Sequence, residues 1–245
     1  MRNRSARIVL LCFAVLAIGL AALYALWSLE LGSRVERAVF PSAISLELGD
    51  APPANTRDAR VAAWLRQHRG AIIAAERRFK IDRRAIAGLI AYEAIVNVHV
   101  SEYGGLVRWV GPGKVRYKDS PLGEGAPASK EVEDLKLLPH RTVVERKRLL
   151  ADAKWSALYI GAIMRALADV VRRDTGLDES CSPGALVTLA SAWRIREADR
   201  YFAGIHERRY AIAFNFPGNW TANRSAFLEH IVGPPAPGIC HHAAQ

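Results

Sequence analysis

One acidic side chain stands apart from the others by its surroundings. Glu93 lies in AIAGLIAYEAIVNV, and between Arg84 and His99 it is the single carboxylate, with no Lys, Arg or His beside it. Taking Ile86 as reference, Leu89, Ile90, Glu93 and Asn97 fall on one helical stripe at +3, +4, +7 and +11. The stretch is apolar nearly all round, so the pattern predicts a buried helix carrying a carboxylate. An unpaired carboxylate is costly to bury, and such a group either holds its proton longer or finds a partner. A carboxyl of that kind, near a helix end and beside a glycine-rich segment, suits general acid chemistry. The same pattern also fits a structural glutamate paired with an arginine from another helix. Both readings stand on the pattern alone.

Other chemistry-bearing groups are weaker candidates. Glu102, Asp119 and Glu124 follow Glu93 in the next segment and read first as solvated loop charges. Gly104-Gly105 and Gly111-Pro112-Gly113 are not phosphate loops, since neither GxxxxGK[ST] nor a post-strand GxGxxG occurs. No Ser or Cys has a nucleophile-elbow setting. There is no CxxC or Cys/His zinc spacing. Cys240-His241-His242 is a short terminal cluster, read as unstructured rather than as a metal site, so neither metal nor cofactor is expected. Cys181 and Cys240 are placed to pair outside the cytoplasm, which would close the tail onto the fold. Asn219-Trp220-Thr221 and Asn223-Arg224-Ser225 are chance-level glycosylation sequons.

The elements that must position Glu93 are mostly helices. From Arg57, Val61, Trp64, Leu65, Ile72 and Ile73 recur at near-helical spacing, which predicts one helix up to Asp82. Asp82 is the expected N-cap of a second helix, Arg83–Asn97. Residues 98–125 break the helical period, and β-formers between glycines predict a short hairpin or irregular lobe. Helices are expected over Ser129–Leu138, Val143–Leu150, Ala153–Arg173, Pro183–Trp193, Arg196–Arg209 and Thr221–Val232. On the longest, Trp155, Leu158, Tyr159, Ala162, Ile163 and Leu167 share one face. The expected fold is mostly α with a small β lobe.

The chain has 245 residues, 51% hydrophobic and 24% charged, enough for a packed core and unlike a disordered tail. Its 34 Lys and Arg against 24 Asp and Glu leave a net charge of +10. That favours anionic partners without choosing among lipid head groups, an acidic wall polymer and nucleic acid. No nucleic-acid motif is found, and no nucleic-acid partner is expected. At the N-terminus, IVLLCFAVLAIGLAALYALWSL (Ile8–Leu29) carries no charge and is long enough to cross a hydrocarbon layer of about 30 Å. A cleaved signal peptide would have a shorter apolar region and a small-x-small site, and no clean site follows. Arg2, Arg4 and Arg7 precede the run, which supports N-terminus in and domain out. The expected organisation is a tail over 1–7, a membrane anchor over 8–29, a Pro- and Gly-containing linker over 30–56, and one domain over 57–245. The linker spans about 25–30 Å on average.

The order helix, glutamate, irregular lobe, glycine-rich turn, long helix resembles the lysozyme superfamily, specifically the soluble lytic transglycosylases and goose-type lysozymes. IDRRAIAGLIAYEA resembles the family's glutamate-bearing helix, with Ile81-Asp82 opening it and Glu93 in the catalytic place. Gly111-Pro112-Gly113-Lys114-Val115 stands where the family has Gly-Leu-x-Gln. Thr188-Leu189-Ala190-Ser191-Ala192-Trp193 stands where it has Ala-Tyr-Asn-Ala-Gly. Three positions depart: Ala94 for the usual Ser, Lys114 for Gln, and Trp193-Arg194 for Tyr-Asn. The resemblance spans roughly residues 60–210 and implies a lysozyme-like domain that cleaves peptidoglycan glycan strands.

In such an enzyme Glu93 would protonate the glycosidic oxygen. In a lytic transglycosylase the sugar's own 6-hydroxyl then closes an anhydro ring, so no second carboxylate is needed. Tyr103, Trp109, Tyr117 and Trp193 are the expected aromatic contacts, although the first three equally fit the apolar plug of a small lobe. Gly113 and Lys114 would line the cleft. Arg108, Lys114 and Arg116 are placed to meet peptide-stem carboxylates, or to be simply exposed. The expected setting is the plasma membrane, single-pass, with the domain on the periplasmic or extracellular side. The alternative is a lysozyme-like scaffold without catalysis, binding wall polymer or an envelope protein partner.

Overall fold

A computed structural model of the chain describes residues 11–20, 56–97, 109–119, 126–191 and 212–240, with side chains from 217 in the last stretch. The chain divides into two compact units, Met1–Pro41 and Ser42–Gln245. In the first, residues 11–20 are helical, with Leu11, Phe13, Val15, Leu16, Ile18 and Leu20 all exposed. Among the described residues no helix is long and apolar enough to cross a membrane. The remainder of Ile8–Leu29 lies outside the described residues, as does nearly all of the linker expected over 30–56.

The second unit is helical, as its sequence predicts. It begins with α1 (Arg57–Gln67), where the Thr56 hydroxyl accepts from the Ala59 N–H at 3.1 Å. The helix buries Val61, Trp64 and Leu65. The single first helix read from periodicity is in fact two, because the chain breaks at His68 and restarts as α2 (Arg69–Phe79). The His68 ring lies 4.3 Å from that of Trp64, centroid to centroid, so the residue at the break is held against the preceding turn. Lys80 closes α2 in the left-handed region, φ 53°.

The central element is α3 (Arg83–Ile95), buried along almost its whole length. Its N-cap is Asp82, whose carboxylate accepts from the Arg84 N–H at 2.8 Å. The helix is two residues shorter than the Arg83–Asn97 expected. Around it pack α1, α2, α6 (Ala153–Thr175), α7 (Pro183–Ser191), α8 (Ile212–Asn223) and α9 (Ser225–Val232). A helix touched from so many sides cannot carry a polar face, which explains why its sequence shows none. Gly88 allows a close approach of α8: a Cβ there would lie 2.3 Å from Cγ2 of Thr221.

Between α3 and α6 lie a two-stranded antiparallel sheet and two short helices. Strands β1 (Trp109–Val110) and β2 (Val115–Arg116) pair Trp109 with Arg116 and Val110 with Val115. The lobe therefore does contain a hairpin, turned by Gly111-Pro112-Gly113-Lys114. Next come α4 (Ala128–Asp134) and α5 (Val143–Ala151), the latter opened by a Thr142/Glu145 capping box. The longest helix among the described residues, α6, has 23 residues, capped by Asp152 and ended by Gly176 at φ 76°. The single C-terminal helix expected from Thr221 is also two. Helix α8 contains Pro217 and ends at Asn223, and α9 starts at Ser225. The helix expected over Arg196–Arg209 lies outside the described residues.

Cys181 and Cys240 form a disulfide with a Cα–Cα distance of 5.4 Å, which ties the tail to the start of α7. The tail is held at two further points. The Val232 carbonyl accepts from Arg69 Nε at 2.9 Å and from Arg83 Nη1 at 3.3 Å, and the Ala236 N–H donates to Glu76 at 3.2 Å.

Candidate active site

Glu93 sits in the last turn of α3 and is 3% exposed. Its Oε2 accepts a hydrogen bond from Asn97 Nδ2 at 2.6 Å. The i, i+4 spacing sets this contact, because residues four apart lie one above the other on a helical turn. The turn persists just beyond the helix, with the N–H groups of Val96 and Asn97 both donating to the Tyr92 carbonyl, at 2.8 and 3.0 Å. Asn97 is thereby held by its own backbone while its amide holds the carboxylate.

The second connection runs to the hairpin. Lys114 Nζ donates to the backbone carbonyl of Asn97. Lys114 is buried and lies at φ 50°, and its N–H closes the turn on the Gly111 carbonyl at 2.9 Å. Gly111 takes φ 78°, and a Cβ there would stand 1.7 Å from the Leu150 carbonyl oxygen. Only glycine fits both the dihedral and the approach. A Cβ on Gly113 would meet Ile160 Cδ1 at 2.6 Å, with Ile90 of α3 next nearest. The glycine-rich turn thus docks between α5, α6 and α3, and its lysine reaches the residue that holds Glu93. The chain Glu93–Asn97–Lys114 joins a carboxylate to a hairpin across long sequence separation.

The structure treats the other expected contacts differently. Tyr117 is buried, and its ring has the ammonium groups of Lys118 and Lys147 at 5.6 and 5.5 Å from its centroid. It belongs to the plug of the lobe as much as to any cleft wall. Trp109 is half-buried, and its Nε1 has no hydrogen-bond partner among the described residues. Arg116 is half-buried and Asp119 exposed. Tyr103, Trp193, Glu102, Arg108 and Glu124 lie outside the described residues. Cys240, being disulfide-bonded, offers no thiolate to a metal. Among the described residues no group of three or more His, Cys, Asp or Glu is placed to hold one.

Glutamate–arginine pairing, the structural alternative for a buried glutamate, is seen at Glu76 and Glu133. Glu76 is fully buried and bonded by Arg83, with Nε to Oε2 at 2.7 Å. Glu133 is the more elaborate case. It accepts from Arg146 Nε at 2.8 Å and Nη2 at 2.7 Å, from the Tyr159 hydroxyl at 2.7 Å, and from the Arg141 N–H at 3.0 Å. Burial pushes this carboxyl up, but the bonds from Arg146, Tyr159 and Arg141 outweigh it and leave it below its ordinary value. Burial and Glu133 together push the Tyr159 hydroxyl well above its own. Arg146 also donates to the Tyr117 carbonyl at 3.0 Å, so this network fastens α4, α5 and α6 to the strand that follows the turn.

Neither Asn97 nor Glu133 belongs to a site motif in the sequence. Asn97 was within reach, because it lies on the Glu93 stripe one turn further on. Glu133 gave no such signal, since KEVED reads as a solvated helix. No protein-family model, curated protein or solved structure matches the chain.

Proposed function

We propose that this chain is a membrane-anchored enzyme that cleaves peptidoglycan glycan strands, with Glu93 as general acid and then base. The observation that carries the reading is the Glu93–Asn97–Lys114 chain. It sets an orienting amide on a helix-end carboxylate and connects it to a glycine-rich hairpin, in the order that the lysozyme-like resemblance implies. Glu93 would protonate the glycosidic oxygen. Attack by the sugar's 6-hydroxyl would complete an anhydro product, with Glu93 accepting that proton. The apolar Ile8–Leu29 segment would hold the domain at the plasma membrane, facing the wall polymer.

The test is release of muropeptides from purified sacculi by the full chain, read by mass spectrometry. Glu93→Gln keeps the shape and can still accept from Asn97, so the fold should persist while release drops about 10²–10⁴-fold. No release by the unmutated chain at any pH would end the enzyme reading.

A second reading is a non-catalytic lysozyme-like scaffold that binds wall polymer or an envelope protein. One observation favours it: Lys114 and Tyr117, two of the expected substrate contacts, are buried. Polymer binding without release, unchanged by Glu93→Gln, would decide for it.

A further inference from the structure

The edge of the domain formed by α5 and the loop before it exposes apolar side chains that its core does not use. Val144 is 78% exposed, Leu135 56% and Val143 48%. Val143 and Val144 are the first two residues of α5, a place where β-branched side chains bring no helix propensity. Their position is not slack. Residues 135–142 leave α4 just after Glu133 and return to it, because the Arg141 N–H and the Arg146 guanidinium both donate to Glu133. Leu135 and Val143 each lie two residues from a Glu133 contact, about 7 Å of chain. The clamp ties the loop that begins at Leu135 to the segment that starts α5, where Val143 and Val144 lie.

The same loop and helix, and the elements that contact them, carry several cations. Arg78 of α2 reaches in, its Nη2 donating to the Leu137 carbonyl at 3.4 Å. Lys118 and Lys147 each lie against the ring of Tyr117, whose carbonyl Arg146 holds. Lys136 and Arg148 are exposed on the loop and on α5. The exposed acids on these elements are Asp119, Asp134, Glu145 and Asp152; Asp134 is paired with Lys130 at 2.6 Å, while Glu145 and Asp152 accept from the Thr142 and Trp155 N–H groups at 2.9 and 3.0 Å.

We propose that this edge seats on an anionic lipid surface, Leu135, Val143 and Val144 entering the headgroup boundary while the lysines and arginines meet lipid phosphates. The charge alone would suit any polyanion. The apolar tips decide between partners, since they gain nothing on a solvated acidic polymer and do gain by leaving water at a bilayer interface. Long basic side chains laid around an apolar centre are the arrangement such an interface accepts. The inference does not depend on catalysis by Glu93.

The test uses the full chain carrying Cys12→Ser and Val144→Cys, labelled with an environment-sensitive fluorophore and reconstituted in nanodiscs. The expected result is a blue shift in discs containing phosphatidylglycerol, absent in pure phosphatidylcholine and reversed by molar salt. Lys136→Glu with Lys147→Glu should abolish it, and a label at Arg173→Cys on the end of α6 should not shift. Three outcomes would overturn the proposal: no shift at 144, an equal shift at 173, or the same shift produced by soluble heparin without lipid. Because label position 144 reports on the edge itself, insertion of the N-terminal segment alone cannot imitate the expected result.

Discussion

Asn97 Nδ2 donates to Glu93 Oε2 at 2.6 Å, while the Asn97 carbonyl accepts from Lys114 Nζ. One residue therefore orients the carboxylate with its side chain and anchors the hairpin with its backbone. The two roles separate under mutation. Asn97→Ala deletes the amide and keeps the carbonyl, so the hairpin stays docked while the carboxylate loses an orienting bond. A hydrogen bond to a charged group is worth about 1.5–3 kcal/mol, and about 1.4 kcal/mol is tenfold in rate. Muropeptide release should fall about tenfold or more, with the melting temperature lowered by several degrees because a buried carboxylate loses one donor. Full activity in Asn97→Ala would remove Asn97 from the proposed mechanism.

The hairpin turn should rank its glycines. At Gly111 an added Cβ meets backbone at a left-handed φ, whereas at Gly113 it meets the side-chain end of Ile160. Gly111→Ala should cost about 1–3 kcal/mol from the backbone conformation alone, with the clash added. Gly113→Ala should cost less, since a side-chain end can swing aside. Chemical denaturation of both variants gives the order, and the reverse order would mean that the turn docks differently.

Glu133 should matter strongly to stability. Removing one partner of a buried ion pair leaves the other charge uncompensated and costs about 3–5 kcal/mol, so Glu133→Gln should be severely destabilising. The sign of its pH dependence follows from its lowered value in the fold. The stabilisation is fully present above the ordinary carboxylate value of 4.5 and is lost as pH falls through the depressed folded value. The gap in denaturation midpoint between the unmutated chain and Glu133→Gln should hold steady from neutral pH to about pH 5 and narrow in stronger acid. A gap that widens on acidification would contradict the assignment.

The Cys181–Cys240 bridge spans 59 residues of sequence. Closing a loop of that size removes unfolded-state entropy worth about 4 kcal/mol. Thermal melts with and without reductant should therefore differ for the unmutated chain and coincide for Cys240→Ser.

If Ile8–Leu29 anchors the chain, the protein should stay with membranes through alkaline carbonate extraction. Leu16→Arg, near the middle of the run, raises the cost of insertion by about 2.5–3.5 kcal/mol and should move protein to the supernatant. Extraction of the unmutated chain by carbonate would rule out a spanning segment.

What the sequence determined by itself is local. Asp82 as a cap, α3 as a helix without a polar face, a hairpin or irregular lobe among the glycines and a helix starting at Val143 are all legible, because each depends on residues within a few positions of one another. The Glu93–Asn97 pair belongs to the same class, since helical spacing alone brings those side chains together. Tertiary structure decided the rest. The stripe from Val61 to Ile73 fits one continuous helix, and the break at His68 appears only when Trp64 and Ile72 both have to reach the core. Pro217 reads as a helix breaker, yet it lies inside α8, whose Thr221 packs against Gly88. Lys114 meets Asn97, and Glu133 meets Arg146 and Tyr159, only because the hairpin and four helices share one interior. Local spacing specifies which groups lie on one face of an element. Which faces then meet is set by the sum of many weak burials, and no single stretch of sequence carries that sum.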